Sequence, residues 1–314
     1  MNMKTNTVPA MWTIPRLFSV SSWRALNTVL DVAFYDVAAL TSREQDFLSA
    51  QTRPEGSILI VYPRASDSSI RSLSPRHFVN EQLSTGAEEV DTIVVAGVGS
   101  SALGTAALAR NVADHLGRPV AGVVSGFGLS DLMTEALGGW FVLGARNMFR
   151  DGYARIFDSY SLEDHVRDTE SHQDMKDYFE SVGIDKDHFI YGSPDSTALL
   201  YLLLKLKTRI KLLVGHSKGN YSIENAMEGW VTASKNESKP SLYDFCIITL
   251  GAVVRFPPEL TNVHQFIGEI DLFGRMNSRP TLERTSIHGA GHSLNSVIPG
   301  SLSVQQALTL AGCC

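Results

Sequence analysis

Apolar residues along this chain follow two patterns that alternate, and the alternation predicts strands followed by helices. Short runs that are apolar at almost every position are typical of strands buried on both faces. The predicted strands are 58–62, 92–98, 120–124, 210–214, 245–254, 265–270 and 285–288. Segments whose apolar residues recur every three or four positions predict amphipathic helices. The predicted helices are 21–49, 102–116, 198–207, 221–235 and 303–310. This alternation predicts an α/β fold with a doubly wound, mostly parallel sheet.

Two parts of the chain depart from the alternation. Residues 1–55 are expected to form an N-terminal helical extension packed on a core domain of residues 56–314. Within that domain, residues 65–84 are largely polar and rich in turn-forming residues. Residues 151–190 hold eleven acidic residues and four Lys or Arg. A connection of that length is too long to be bare, so residues 126–192 are expected to be an inserted, charged, lid-like or surface segment.

Composition limits the class of protein. The chain has 314 residues, 44% of them hydrophobic and 19% charged, as in a globular protein. Its formal net charge of −6 argues against a nucleic-acid partner. No apolar stretch is long enough for a signal-peptide core or an integral membrane segment, so a soluble, cytoplasmic protein is expected. The oligomeric state is not indicated.

The cysteines and histidines give little chemistry on their own. Three cysteines are too few for a disulfide framework. Cys246 is expected in the core, and Cys313 and Cys314 on a frayed terminus. The histidines of the charged insertion lack the spacing of metal ligands, so no metal is expected.

The pentapeptide Gly215-His216-Ser217-Lys218-Gly219 carries the most informative pattern. It directly follows a predicted strand and directly precedes a predicted helix. A serine between two glycines at such a junction is typical of a nucleophile elbow, a strained turn that exposes the hydroxyl above the sheet edge. The glycines are needed because side chains there would clash. Ser217 is therefore the predicted nucleophile.

Two further side chains are expected at the same edge of the sheet. Reactive groups of parallel sheets collect beyond the carboxyl ends of the strands. Asp271 directly follows one predicted strand, and His292 follows the last one. Glu269 and His288 are rivals, but both fall within predicted strands, and His288 is expected to be a packed, hydrogen-bonded imidazole.

The order Ser217, Asp271, His292 resembles that of the α/β-hydrolase superfamily, in particular its lipase and esterase members. The resemblance spans residue 92 to the C-terminus, excepting the charged insertion. It implies Ser217 as nucleophile, His292 as general base and Asp271 as the acid that orients it.

The resemblance also implies an oxyanion hole and a class of substrate. Its donors would be the backbone N–H of Lys218 and an N–H of Val98 or Gly99. Members of the family often carry His-Gly at the start of that loop, where this chain has Ala96-Gly97. The expected substrate is a small-molecule or lipid-like ester, with no cofactor.

Two alternatives remain open. Gly97-x-Gly99-x-x-Ala102 also fits a dinucleotide-binding fingerprint, which would make this a Rossmann-type NAD or FAD protein. The acidic residue that the fingerprint requires is missing from the end of the next strand, since Asp131 comes too late. The other alternative is a hydrolase-like scaffold without catalytic activity.

Overall fold

The computed structural model describes residues 29–50, 53–97, 100–125, 169–184, 193–234 and 245–313. These residues form one sheet of eight strands in the order β2-β1-β4-β3-β5-β6-β7-β8. The strands are β1 (Ile58–Val61), β2 (Arg71–Leu73), β3 (Thr92–Val95), β4 (Val120–Val123), β5 (Leu212–His216), β6 (Cys246–Leu250), β7 (Val263–Gly268) and β8 (Thr285–Ile287). Each predicted strand is present, with ends that differ by a few residues.

The sheet is mostly parallel, as predicted. Strands β4, β3, β5, β6, β7 and β8 run parallel to one another, whereas β1 runs antiparallel to both β2 and β4. Strands β3 to β6 are buried at every position, as expected when helices cover both faces. The carboxyl ends of six parallel strands therefore share one edge of the sheet.

Helices cover both faces of the sheet. The helices are α1 (Ser42–Ala50), α2 (Pro75–Leu83), α3 (Ala102–Leu116), α4 (Thr169–Ser181), α5 (Pro194–Leu206), α6 (Lys218–Ser234), α7 (Leu272–Met276) and α8 (Val304–Ala311). One apolar core includes residues of α3 and α8, and the other includes residues of α2, α4, α5 and α6. The observed architecture is a general α/β fold.

The largely polar, turn-rich residues 65–84 hold two elements that the sequence pattern did not predict. Strand β2 and helix α2 lie there. The Ser74 side chain accepts a hydrogen bond from the His77 N–H and caps α2, and Pro75 occupies its first turn. Phe78 and Val79 bury against the sheet. With Pro75 and Gln82, these buried residues anchor a short, mostly polar helix.

The single N-terminal helix predicted over residues 21–49 is also wrong where the structure describes it. Residues 29–34 are helical, Val37–Ala39 form a 3-10 turn, and α1 then begins at Ser42. Thr41 and Glu44 form a capping box, because each side chain accepts from the backbone N–H of the other. That box starts a separate helix.

The charged insertion is described only over residues 169–184, and the rest of 126–192 lies outside the described residues. Helix α4 turns Met175 and Phe179 into the core beside α5, together with Ile184. Arg76 forms an ion pair with Asp174. This part of the insertion therefore contributes to the main hydrophobic core.

The C-terminus differs from the expectation of a frayed end. Cys313 follows α8 and forms a disulfide with Cys246 at the start of β6. Helix α8 is anchored by Val304, Ala307 and Leu308, which are buried. The cysteines therefore do form one disulfide, which fixes the last helix to the sheet; Cys314 lies outside the described residues.

Candidate active site

Ser217 lies in a tight turn between β5 and α6. Its φ of 51° is positive, a conformation that non-glycine residues rarely adopt. A Cβ on Gly215 would lie 2.3 Å from the Asn220 side chain, and one on Gly219 would lie 2.2 Å from the Val95 carbonyl oxygen. Both glycines are therefore required sterically, and the strand–turn–helix context predicted for an elbow is present.

The three side chains predicted to act together do meet. His292 Nε2 lies 3.1 Å from Ser217 Oγ, and His292 Nδ1 lies 2.8 Å from Asp271 Oδ2. Ser217 and Asp271 are buried, and the His292 side chain is 10% exposed. They belong to three separate loops, each at the carboxyl end of a parallel strand.

Local structure fixes the Asp271 carboxylate. Asp271 is the N-cap of α7, and its Oδ1 accepts a 2.6 Å hydrogen bond from the Gly274 N–H. Its Oδ2 faces His292. Because each oxygen has its own donor, the carboxylate is held in one orientation toward the imidazole.

The rival residues Glu269 and His288 lie away from Ser217. Strand β7 ends at Gly268 and β8 at Ile287, so both rivals stand just outside strands rather than within them. His288 is exposed and contacts Glu269 at 2.7 Å, so the expectation that it is packed is wrong. The Glu269 carboxylate accepts a hydrogen bond from the Gly289 N–H, and this bond lowers the pKa of Glu269. The two form a surface pair.

His216, the residue before Ser217, is part of a buried network. Its Nδ1 lies 2.9 Å from Tyr35 Oη, and its Nε2 lies 3.0 Å from the His292 carbonyl oxygen. Burial, with His292 nearby, holds the pKa of His216 well below its usual value. A neutral imidazole is therefore favoured beside His292.

The candidate oxyanion donors are only partly described. Lys218 is the first residue of α6, and N–H groups in the first turn of a helix have no acceptor within that helix. Val98 and Gly99 lie outside the described residues. The Gly97 N–H, just before them, donates a 2.6 Å hydrogen bond to Tyr35 Oη.

Sequence reasoning missed Asp31 and Tyr35. The Asp31 side chain is buried against the N-terminus of α3, where it accepts hydrogen bonds from the Ser101 N–H and hydroxyl. Burial raises its pKa to about 7. In the sequence they are an acidic residue and a tyrosine four positions apart within the predicted helix 21–49.

Among the described residues, one group places possible metal donors close together. Donor atoms of Cys246, His264 and Cys313 lie within 4.8 Å of one another. The two sulfurs are joined to each other, which removes the thiolates that a metal would need. His264 and Cys246 stand near the starts of their strands, at the sheet edge opposite Ser217.

Comparisons with known proteins leave the site to its own geometry. No family model, curated protein or solved structure matches this chain. What the site can do therefore follows from the arrangement of its side chains: a hydroxyl, a base within reach of its proton, and a carboxylate that orients the base.

Proposed function

We propose that this protein is a serine hydrolase of the α/β-hydrolase type that cleaves carboxylic esters through an acyl-enzyme. The observation that carries the proposal is the pair of hydrogen bonds from Ser217 to His292 and from His292 to Asp271. The proposal is further supported by the positive φ of Ser217 and by the two sterically required glycines, Gly215 and Gly219.

The chemistry follows from which atoms face one another. Ser217 Oγ attacks the ester carbonyl carbon while its proton passes to His292 Nε2. Asp271 accepts from the Nδ1–H and stabilises the imidazolium. The Lys218 N–H donates to the tetrahedral oxyanion, which collapses as His292 returns its proton to the leaving alcohol. Water, activated by the same imidazole, then releases the acid.

Apolar side chains around His292 favour a lipid-like or other apolar ester. The Phe34 ring stands edge-on to the imidazole at 5.7 Å between centroids, and Phe273 lies at 6.2 Å. Leu272, Phe273 and Met276 are all exposed beside the proposed acid. An apolar acyl or alcohol group would cover such surface favourably.

The dinucleotide alternative finds less support. A dinucleotide places its pyrophosphate at the N-terminus of the helix after the glycine loop, which here is α3. The Asp31 carboxyl already accepts from Ser101 at that terminus. The adjacent Gly97 N–H donates to Tyr35. A non-catalytic scaffold would have no need of the strained Ser217 backbone.

None of the helices in the described ranges has the length and apolar character to cross a bilayer. The sequence favours a cytoplasmic location, whereas a disulfide such as Cys246–Cys313 is more typical of oxidising compartments. The proposed substrate partner is a small or lipid-like ester.

A panel of p-nitrophenyl esters of increasing acyl length tests the proposal. Wild-type protein should release p-nitrophenol, and Ser217→Ala should lower kcat/KM by about 10⁴-fold or more. Ser181→Ala, an exposed serine on α4, is the matched control and should behave as wild type. Activity that survives Ser217→Ala unchanged would refute the assigned nucleophile.

A further inference from the structure

We propose that the N-terminal clamp, defined as residues 31–36, belongs to the catalytic machinery, with Asp31 and Tyr35 as positioning residues. This inference rests on the proposed hydrolase function. The clamp contacts three parts of the site at once: the described ends of the glycine loop, the residue before the nucleophile, and the loop that carries His292. These contacts are hydrogen bonds to Gly97 and Ser101 at the two loop ends, to His216, and to Ser293.

Tyr35 connects the glycine loop to the elbow. Its hydroxyl accepts from the Gly97 N–H at 2.6 Å and lies 2.9 Å from His216 Nδ1. A Cβ on Gly97 would lie 3.0 Å from the Ser217 Cβ. The loop start and the proposed nucleophile are therefore in close contact, and the Tyr35 hydroxyl sets their spacing.

The hydrogens of this network can be assigned from its donors and acceptors. His216 Nε2 faces the His292 carbonyl oxygen, which can only accept, so Nε2 carries a ring hydrogen and donates it. Burial holds the pKa of His216 well below its usual value, so the ring carries no second proton and Nδ1 accepts the proton of the Tyr35 hydroxyl. A neutral His216 with its hydrogen on Nε2 satisfies both bonds. Tyr35 thereby supports one tautomer, and that tautomer holds the backbone of the proposed base.

The backbone of the clamp also binds the loop after His292. Three successive carbonyls accept from three successive residues of that loop: Val32 from Asn295 Nδ2, Ala33 from Ser293 Oγ, and Phe34 from Leu294 N. The Phe34 ring stands edge-on to the imidazole. His292 is therefore held on its carbonyl side by His216 and, one residue later, by the clamp.

Asp31 holds the far end of the glycine loop. It lies four residues before Tyr35 and accepts from the Ser101 N–H at 3.2 Å and from the Ser101 hydroxyl at 2.5 Å. A Cβ on Gly104 would lie 2.1 Å from the Asp31 Oδ1, so the helix is shaped to admit this carboxyl. Asp31 and Tyr35 thus grip the two ends of the loop from which a second oxyanion donor is expected.

Tyr35→Phe tests the clamp, because it removes one oxygen and keeps the ring. The matched control is Tyr201→Phe, a buried tyrosine in the core on the other face of the sheet. Misplacing reacting groups by a fraction of an ångström to 1 Å costs up to about 100-fold. We expect Tyr35→Phe to lower kcat on a p-nitrophenyl ester by about 10- to 100-fold with KM within about twofold. Tyr201→Phe should leave both unchanged.

A structural role alone would lower thermal stability without this kinetic split. If Tyr35→Phe keeps kcat within about twofold of wild type, or loses activity only in proportion to a loss of folded protein, the proposal is overturned. If Tyr35→Phe does not fold, ring ¹⁵N NMR of wild-type protein decides. Nδ1 of His216 should be unprotonated and Nε2 protonated, and the reverse tautomer overturns the network.

Failure of the clamp can be told apart from failure of the hydrolase proposal. If wild-type protein hydrolyses the ester and the Tyr35→Phe variant is unaffected, only the proposed role of the clamp is refuted. If wild-type protein hydrolyses no ester and Ser217 does not react with a fluorophosphonate, the proposed function is refuted, whatever the tautomer of His216.

Discussion

His288 and His292 are four residues apart in one loop, yet the side chain of the first is 96% exposed and that of the second is 10% exposed. Gly289 has a φ of 67°, which turns the chain between them. His288 pairs with Glu269 on the surface, whereas His292 reaches Ser217 and Asp271. Position relative to the end of β8 therefore separates an exposed imidazole from the proposed base.

Replacing the two histidines separately should give opposite results. His292→Ala should lower kcat by about 10⁴-fold or more, because His292 Nε2 is the base that faces the Ser217 hydroxyl. His288→Ala should leave kcat within about twofold of wild type. Steady-state hydrolysis of a p-nitrophenyl ester measures both. The assignment of the base fails if His288→Ala is the inactive variant.

Gly219→Ala should disrupt the elbow through sterics. The added Cβ would lie 2.2 Å from the Val95 carbonyl oxygen, so α6 could no longer sit against β3. We expect a loss of about 1–3 kcal/mol in the free energy of unfolding, together with most of the activity. Urea denaturation and ester hydrolysis measure the two effects.

Gly86→Ala is the comparison for this variant. Its φ is 79°, but a Cβ there meets nothing within 4 Å. It should lose about 1 kcal/mol from backbone conformation alone and keep full activity. Equal activity losses in both variants would contradict a specific steric role for Gly219.

Asp31 should make stability depend on pH. Burial raises its folded-state pKa from 3.8 to about 7. Between these values the unfolded chain is ionised while the folded carboxyl keeps its proton, so the unfolding free energy falls as pH rises. Asp31→Asn cannot ionise and removes this term. The Tm of Asp31→Asn relative to wild type should therefore be higher at about pH 7.5 than at about pH 4.5.

The control for this prediction is Asp46→Asn, which changes an exposed carboxyl on α1. Its Tm relative to wild type should not follow the same trend. Differential scanning calorimetry at several pH values measures all three proteins. A constant Tm difference between Asp31→Asn and wild type across this range would show that Asp31 ionises equally in both states.

The Cys246–Cys313 disulfide should contribute to stability and not to chemistry. It closes a loop with a sequence separation of 67 residues. Loop entropy in the unfolded chain predicts a contribution of up to about 4 kcal/mol. Reduction should lower the free energy of unfolding by that amount, which appears as a lower urea midpoint. Ester hydrolysis should be unchanged at urea concentrations below the midpoint.

A Cys246→Ser, Cys313→Ser double variant controls for effects of the reductant. Its urea midpoint should equal that of reduced wild type and should not respond to dithiothreitol. If wild-type protein purified without reductant already shows both thiols free to alkylation, the disulfide contributes nothing under those conditions.

Much of the sheet could be predicted because its strands are short apolar runs between turn residues. The strand–Gly–x–Ser–x–Gly–helix pattern also located Ser217, since that turn has strict local requirements for glycine. Asp271 and His292 could be placed because side chains after parallel strands meet at one edge. These inferences used local pattern and one rule of topology.

The parts that could not be predicted depend on distant contacts. Tyr35 and His216 are 181 residues apart, and no local pattern pairs them. Cys246 and Cys313 meet only because α8 packs on the sheet face that β6 shares. Thr41 and Glu44 have the spacing of a capping box and so indicate a new helix, but the apolar periodicity of residues 21–49 predicts one continuous helix.

Reaction of folded protein with a fluorophosphonate tests the central claim most directly, because such a probe bonds to an activated serine oxygen. Peptide mapping by mass spectrometry should place one phosphonyl group on Ser217, and His292→Ala should slow its formation sharply. Denatured protein should not react. Folded protein that leaves Ser217 unmodified, or that reacts equally well without His292, would contradict the account.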